Sequence, residues 1–406
     1  MTFDPSSIRQ QFPLLSRKIE GKTLCYLDNA ATNQKPQVVI DSLIEFLTTL
    51  NANINRGVHP LAEAATVAYD NARKVAAKFL NAKSHEMIFT RNTTESINLV
   101  ARTWGEKNLT KSDAIILCED AHHANIVPWL QLKERTGVKI EWIPVDSSGI
   151  LDWKKLDEFL KKGDVKLVAV SALSNVTGEL APLEMIVKSA KNSGALTLID
   201  AAQFAAHKEI DVRKLDCDFL AFSGHKVYGP LGVGVLYGKA ELLQEMPAFL
   251  GGGDMISSVT KDGFTTAELP RKFEAGTPAI AEAVALGVAL EWLQKLNRKE
   301  VEAHEATLIK RAVDGLQKIK DMRILGKNHT GCVSFTIKGV HPHDLTEVLG
   351  REGICLRAGH HCCQPLHDAL GINASARLSV AAYNTTEEID ACLKEIEKAV
   401  SFLKKD

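Results

Sequence analysis

The sequence predicts an α/β protein with a large domain built on a mainly parallel seven-stranded sheet and a smaller α+β domain at the C-terminus. Short apolar runs alternate with helical patterns over residues 22–240, as they do where helices join parallel strands. After one long helical pattern, shorter strands and charged helices follow in a different arrangement. At 406 residues the chain also exceeds the usual size of one domain.

Seven apolar runs are the predicted strands of the large sheet. They span residues 24–27, 114–117, 138–143, 166–170, 196–199, 219–222 and 233–237. Another short run, 87–90, precedes a helix. The stretch 251–266 is rich in Gly, Ser and Thr, which predicts an irregular excursion or hairpin.

The second domain is predicted from the patterns after residue 278. A helix at 279–296 has apolar residues at helical spacing and connects the two domains. The later predicted elements are a charged helix near 299–319, strands at 332–337, 354–357 and 377–380, and a final helix at 386–403. We therefore expect a large domain at 22–290 and a small domain formed by 1–21 and 291–406.

Composition narrows the classes of function. With 49 basic and 50 acidic side chains the chain has no overall field to attract nucleic acid or an anionic membrane. The first residues lack the apolar core of a signal peptide, and no run approaches the roughly 18 apolar residues of a membrane span. We expect a cytoplasmic protein that acts on a small molecule or a protein partner.

The eight cysteines lack the density of a disulfide framework and the CxxC spacing of a zinc site. We therefore expect reduced thiols, most of them core residues, and no metal.

Lys226 stands in a glycine-rich turn directly after the predicted strand 219–222. A desolvated lysine there would have a depressed pKa, and its neutral amine could form a Schiff base. A lysine in a turn is more often a surface residue, so its partners decide the interpretation.

Two segments upstream supply such partners. Asp200 follows the run 196–199, so a carboxylate lies at the end of a strand, where it could keep a pyridinium nitrogen protonated. Residues 92–96 open a helix after the run 87–90, and free amides at a helix start suit a phosphate. Taken separately, these features are an ordinary strand-end acid and a helix cap.

The sequence resembles the pyridoxal-phosphate-dependent cysteine desulfurases of the class V aminotransferase superfamily, and within it the SUF-type branch that includes selenocysteine lyases. The resemblance is nearly end to end, and its most specific parts surround Lys226 and Cys362. The motifs that carry it lie at residues 26–32, 55–59, 93–95, 122–129, 174–178, 222–230, 273–278 and 357–362. It implies the fold of PLP-dependent transferases of fold type I.

The resemblance also implies a cofactor site for pyridoxal 5'-phosphate (PLP). Lys226 would attach the cofactor covalently, Asp200 would pair with the pyridine nitrogen, and Gln203 would contact the ring hydroxyl. His123 would stack on the ring and act in catalysis. The other cofactor-binding residues it implies, mostly around the phosphate, are Thr94, Glu95, Ser223, His225 and, from the second subunit of a homodimer, Thr277.

Substrate binding is implied at four further residues. Asn175 and Arg377 match positions that handle the substrate carboxylate, for which a guanidinium fork has the right shape. Arg56 and Arg357 line the same pocket in relatives. The implied substrate is L-cysteine, with L-selenocysteine as an alternative.

Cys362 is the implied nucleophile, which would take the sulfur of cysteine as a persulfide and leave alanine. It follows two histidines in a loop before Pro365, where imidazoles would favour the thiolate and solvent could reach it. Relatives pass the persulfide to a small acceptor protein of the SufE or SufU kind for iron-sulfur cluster assembly. Two alternatives are a buried inert thiol and a metal site at 360–363, although four adjacent residues cannot readily surround one tetrahedral ion.

Cys363 departs from the family pattern, because many relatives have alanine there. We expect that it could form a polysulfide or partly substitute for Cys362. Three other functions remain open: a selenocysteine lyase, a different class V enzyme such as an aminotransferase or kynureninase-like lyase, and a non-catalytic scaffold.

Overall fold

The computed structural model describes residues 4–404; residues 1–3 and 405–406, the two ends of the predicted small domain, lie outside the described residues. The strands are β1 Lys18–Ile19, β2 Lys22–Thr23, β3 Cys25–Tyr26, β4 Met87–Thr90, β5 Ala114–Cys118, β6 Lys139–Ile143, β7 Val165–Ser171, β8 Leu196–Asp200, β9 Phe219–Ser223, β10 Gly234–Gly238, β11 Ile256–Val259, β12 Phe264–Thr266, β13 Met322–Leu325, β14 Cys332–Ile337, β15 Ile354–Cys355, β16 Arg357–Gly359 and β17 Ser375–Ser379.

The helices are α1 Pro5–Arg9, α2 Gln37–Glu45, α3 Pro60–Leu80, α4 Thr93–Val100, α5 Glu106–Asn108, α6 Val127–Thr136, α7 Lys154–Leu160, α8 Leu183–Asn192, α9 Phe204–His207, α10 Val212–Leu215, α11 Ala240–Glu245, α12 Ile280–Lys295, α13 Arg298–Leu316, α14 Pro342–Arg351, α15 Gln364–Ala369 and α16 Thr386–Leu403. None of the helices in residues 4–404 has the length and apolar character needed to cross a membrane.

A seven-stranded sheet forms the centre of the molecule, in the order β4-β10-β9-β8-β7-β5-β6. The neighbours from β9 to β6 pair in parallel, and β10 runs antiparallel to both of its neighbours. Every residue of β5, β9 and β10 is buried, as expected for a sheet covered on both faces. The predicted mainly parallel seven-stranded sheet is confirmed.

One predicted strand of this sheet is wrong. The run 24–27 lies outside the large sheet, where β3 pairs in parallel with β15, and β4 occupies the edge position instead. Cys25 and Leu27 are buried in a second hydrophobic core together with side chains of the C-terminal sheet. The apolar run therefore indicated burial correctly but not the sheet to which it belongs.

The C-terminal part is a four-stranded antiparallel sheet, in the order β13-β14-β17-β16, packed with α13, α14 and α16. Strand 332–337 and helix 386–403 agree with the prediction, and Thr385 and Glu388 form the capping box that starts α16. The predicted strand 354–357 is split at Leu356, because β15 pairs with β3 whereas β16 pairs with β17.

The division into domains at residues 22 and 290 stays a prediction. Ile8, Phe12 and Leu15, from the segment assigned to the small domain, pack in the larger core. Phe12 contacts the rings of Trp292 and Tyr383, so this segment lies where both parts of the molecule meet.

The sheet places several functional side chains at one edge. Strands β8 and β9 are parallel neighbours and end at Asp200 and Ser223. A short 3-10 turn, Gly224–Lys226, follows β9 directly. Ligand sites of open α/β sheets form at such carboxyl ends.

Candidate active site

A cavity of about 220 Å³ opens at this edge of the sheet. It brings together most of the side chains predicted from the sequence: Thr94, Asn175, Asp200, Gln203, Ser223, His225, Lys226, Arg357, Cys362 and Arg377. Four other predicted residues do not line it: Arg56, Glu95, His123 and Thr277.

Lys226 and Asp200 carry opposite charges in the cavity, and burial perturbs both. Burial lowers the pKa of Lys226 to about 8, with Asp200 and Cys362 opposing the shift and Arg377 adding to it. Burial raises the pKa of Asp200. Two weaker effects lower it: the N–H of Ala202 donates to Oδ1 at 2.9 Å, and the positive charge of Lys226 favours the carboxylate. A lysine in this state supplies a neutral amine at mildly alkaline pH.

The start of α4 forms another wall of the cavity. Asn92 caps the helix by accepting from the N–H of Glu95 at 3.0 Å, and Ser223 Oγ accepts from the N–H of Thr93 at 2.9 Å. Gly234 of β10 permits this arrangement, because a Cβ there would lie 2.5 Å from Asn92 Cα. The positive end of the helix dipole and Thr94 therefore face the cavity, an arrangement suited to an anion.

His225 lines the same cavity as this helix start. Burial lowers the pKa of His225 to about 4, with Lys226 and Lys35 adding to the shift. Its Nδ1 is buried and has no hydrogen-bond partner within the described residues. The neutral ring therefore has one polar atom free for a ligand.

Arg377 and Asn175 form the opposite wall. Arg377 is 2% exposed; its Nη1 donates to the carbonyl of Asn175 at 2.9 Å and its Nη2 to Asp28 at 3.3 Å. Burial lowers the pKa of Arg377, and its Nε has no partner in the part of the chain that is described. Arg357, more exposed, also pairs with Asp28 at 3.3 Å. The wall can therefore receive a carboxylate.

The adjacent residues His122 and His123 have different surroundings. His122 lines the cavity, and its Nδ1 accepts from the N–H of Ala124 at 3.0 Å. Burial, with the charge of Lys226 next in effect, lowers the pKa of His122 to about 3, so the ring is neutral with its proton on Nε2. His123 contacts the cysteine loop instead: its Nε2 accepts from the N–H of Gln364 at 3.0 Å.

Cys362 is exposed on the loop between β16 and α15, at the mouth of the cavity. His361 and Cys362 both have left-handed backbones, with φ of 52° and 56°, which costs non-glycine residues about 1–2 kcal/mol each. Asn175 Nδ2 donates to the carbonyl of His361 at 2.7 Å. Burial lowers the pKa of His361, so the imidazole next to Cys362 is neutral and Lys226 is a source of positive charge near the thiol.

Cys363 points the other way. It is fully buried in a small cluster with Val176, Leu325, Leu366 and Leu370. Burial, with Asp120 adding to the effect, raises its pKa well above the ordinary value. A thiol in this state is a poor nucleophile, which argues against the expected polysulfide or substitute role.

The other predicted residues lie away from the cavity. Glu95 turns its carboxylate to Arg91, accepting from Nε at 2.9 Å. Arg56 is exposed and pairs with Asp254 at 3.6 Å, and Thr277 is exposed near Asn53.

Two residues that the sequence analysis missed support the site. Asp28 bridges Arg357 and Arg377, and the only sequence signal was its place in the motif 26–32. Lys35 donates to the carbonyl of His225 at 3.1 Å, and burial lowers its pKa to about 8. Nothing in the local pattern around Lys35 distinguishes it from a surface lysine.

A second cavity, of about 990 Å³, lies behind the sheet. Ala172, Ile199 and Ala201 line it, whereas their neighbours Ser171 and Asp200 line the first, because alternate strand residues face opposite sides. It contains none of the predicted site residues. In residues 4–404 no cluster of three or more His, Cys, Asp or Glu side chains has an arrangement that could hold a metal ion.

A mainly parallel seven-stranded sheet, a second α+β sheet and a desolvated lysine just beyond β9 occur together in one class of enzyme. That class is the PLP-dependent enzymes of fold type I. In these enzymes the cofactor binds beside the lysine, at the carboxyl ends of the parallel strands.

The chain belongs to the aminotransferase class-V family, which it matches over residues 25–392. It is 43% identical over 405 residues to a protein of Vibrio cholerae described as a probable cysteine desulfurase, covering 99% of this chain and all of that one. The fold superposes on the crystal structure of the cysteine desulfurase CsdA from Escherichia coli with a TM-score of 0.92 and 39% identity, covering 99% and 100% of the two chains. The apo cysteine desulfurase of Thermococcus onnurineus gives 0.93 at 38% identity, covering 98% of each chain.

The cofactor of this family is PLP, and the residues present fit it. The unpartnered Nδ1 of His225 and the start of α4 can receive a phosphate, and the buried Asp200 can face a ring nitrogen. The amine of Lys226 lies in the same cavity and, once it has lost its proton, can bond to an aldehyde carbon.

Proposed function

We propose that the protein is a cysteine desulfurase that converts L-cysteine to L-alanine and takes the sulfur onto Cys362 as a persulfide. The observation that carries this proposal is that the exposed thiol of Cys362 lines the same cavity as the desolvated amine of Lys226. An aminotransferase has no need of such a thiol.

We assign the cofactor-binding roles as follows. Lys226 would attach PLP, Asp200 would face the ring nitrogen and Gln203 would contact the ring. Thr94, Ser223 and His225 line the same cavity and would surround the phosphate. His122, and not His123, faces the ring, because His122 lines the cavity and His123 does not. For Glu95 we propose an indirect role, holding Arg91 at the start of α4.

The substrate carboxylate is received by Arg377 and Asn175, with Arg357 at the entrance. Arg377 suits this role because its guanidinium is desolvated and has an unpartnered Nε. When bound, PLP supplies an electron sink that stabilises negative charge at the substrate Cα. The neutral Nζ of Lys226 takes the α-proton and later returns a proton to the carbon chain.

Sulfur transfer is a balanced exchange at Cys362. Its thiolate Sγ attacks the substrate sulfur, so an S–S bond forms while the substrate C–S bond breaks and leaves its electron pair on carbon. That carbon gains a proton and becomes the methyl group of alanine. The proton lost from Cys362 balances the one gained, and the persulfide keeps the substrate's own thiol proton.

We further propose that the protein works as a homodimer. Thr277 and Arg56 are exposed and lie outside the cavity of their own chain, as residues that serve the cavity of a second subunit would. The exposed Cys362 loop suits delivery of the persulfide to a small cytoplasmic acceptor of the SufE or SufU kind, for iron-sulfur cluster assembly.

The test is product analysis after incubation with L-cysteine and a reductant. Wild type should release equal amounts of alanine and sulfide, whereas Lys226→Ala and Cys362→Ala should release neither. Cys355→Ala, which alters a half-buried thiol outside the cavity, is the matched control and should behave as wild type. A keto acid in place of alanine would overturn the proposal, and L-selenocysteine measured in parallel gives the substrate preference.

A further inference from the structure

The backbone that presents Cys362 is unusual and needs external support. Two consecutive non-glycine residues, His361 and Cys362, have left-handed backbones, which persist only where surrounding contacts determine them. The question is which side chains supply those contacts.

Besides the bonds of the His361 ring to Ser375 at 3.1 Å, three other contacts hold the loop. Asn175 Nδ2 donates to the carbonyl of His361, and the ring of His367 contacts the carbonyl of Cys363 at 2.9 Å. The third is His123, whose backbone N–H donates to the carbonyl of Cys362 at 2.7 Å. Because its Nε2 also accepts from the N–H of Gln364 at 3.0 Å, His123 binds the chain on both sides of Cys363.

The hydrogen bond from the N–H of Gln364 fixes the protonation state of the His123 ring. A backbone N–H is always a donor, so Nε2 must present its lone pair and the ring must be neutral. Burial, with the charge of His360 next, lowers the pKa of His123, which agrees with this state.

The position of His123 in the chain joins two parts of the site. It begins the 3-10 turn His123–Asn125 immediately after His122, the ring that lines the cofactor cavity. Adjacent residues therefore face the cofactor cavity and the loop of the nucleophile.

We propose that His123 is a positioning residue for Cys362, acting on sulfur transfer and not on the cofactor. This rests on the proposed function. Replacing the ring removes the acceptor for Gln364 but leaves the backbone bond to Cys362 in place. The loop should loosen without loss of the fold, and misplacement by about 1 Å can cost roughly 10²-fold in rate.

The test compares His123→Ala with His123→Gln, whose side-chain oxygen can also accept from Gln364. The control is His85→Ala, which alters an exposed histidine that does not line the cavity. Three rates are measured on the holoenzyme: exchange of the alanine α-proton with deuterium, which needs no thiol, alanine formation from cysteine, and alkylation of Cys362 by iodoacetamide.

We expect His123→Ala to keep the exchange rate, to lose about 10- to 100-fold in alanine formation, and to show an altered alkylation rate. His123→Gln should recover part of the alanine formation and bring the alkylation rate back towards that of wild type, and His85→Ala should match wild type. Equal losses in exchange and alanine formation, or an unchanged alkylation rate, would overturn the proposal. Absence of alanine from wild type would instead refute the proposed function, and the alkylation comparison would still test His123.

Discussion

Cys362 and Cys363 are adjacent in the chain, yet the first is exposed at the cavity mouth and the second is fully buried. The left-handed backbone at Cys362 turns the two side chains apart. Only Cys362 can meet a substrate sulfur in this conformation.

Cys363→Ala should therefore leave alanine formation and the persulfide unchanged. Its sulfur fills space among leucine and valine side chains, so the free energy of unfolding should fall by about 1 kcal/mol. Urea unfolding and product analysis measure the two effects. A persulfide found on Cys363 in the Cys362→Ala protein would restore the substitute role for Cys363.

The pH dependence of cofactor binding should report the protonation state of Lys226. Only the neutral amine reacts with an aldehyde, and burial lowers the pKa of Lys226 to about 8 from an ordinary 10.5. In protein stripped of cofactor, the rate of PLP reattachment should rise with pH through a midpoint near 8 and level off above it.

Asp200→Asn is the control for that profile. Asp200 raises the pKa of Lys226, so its neutralisation should move the midpoint to lower pH. A midpoint near 10.5 in either protein would mean that Lys226 is solvated, in conflict with its buried position.

Arg377→Lys should weaken cysteine binding although the charge is kept. The planar guanidinium of Arg377 contacts Asn175 and Asp28 and still has an N–H that can face a carboxylate. A lysine ammonium cannot make all of these contacts at once. Loss of a charged hydrogen bond costs about 1.5–3 kcal/mol, so KM should rise roughly 10- to 100-fold. Steady-state kinetics measure this, and a KM equal to that of wild type would remove Arg377 from the carboxylate site.

His122→Ala and His123→Ala should separate the roles of the two rings. Loss of His122 should weaken PLP binding by about three- to tenfold, the value of one aromatic contact. His123→Ala should leave PLP affinity unchanged, since that ring contacts Gln364. Absorbance titration of stripped protein with PLP checks both, and the opposite ranking would return the stacking role to His123.

The strands and helices were predictable where a single periodic signal determines them. The helix 386–403 combines an apolar stripe with a capping box, and the strand 332–337 is a short apolar run between polar residues. The run 24–27 was placed in the wrong sheet, because burial of Cys25 and Leu27 does not specify which strand they pair with.

The residue types of the site were predictable from the sequence. The directions in which their side chains point were less predictable. Lys226 and Asp200 follow strands whose ends are visible in the sequence, so their meeting at one edge follows from the sheet. His122 and His123 lie in a turn without periodicity, where the backbone angles decide which ring faces the cavity. The opposite directions of Cys362 and Cys363 have the same origin.

The most direct test of the central claim is mass spectrometry of the protein after one turnover with sulfur-isotope-labelled L-cysteine, followed by digestion. We predict that the peptide containing Cys362 gains one labelled sulfur atom, that Lys226→Ala gains none, and that alanine appears in equal amount. Alanine formation without labelled sulfur on Cys362, or the label on another cysteine, would contradict the account.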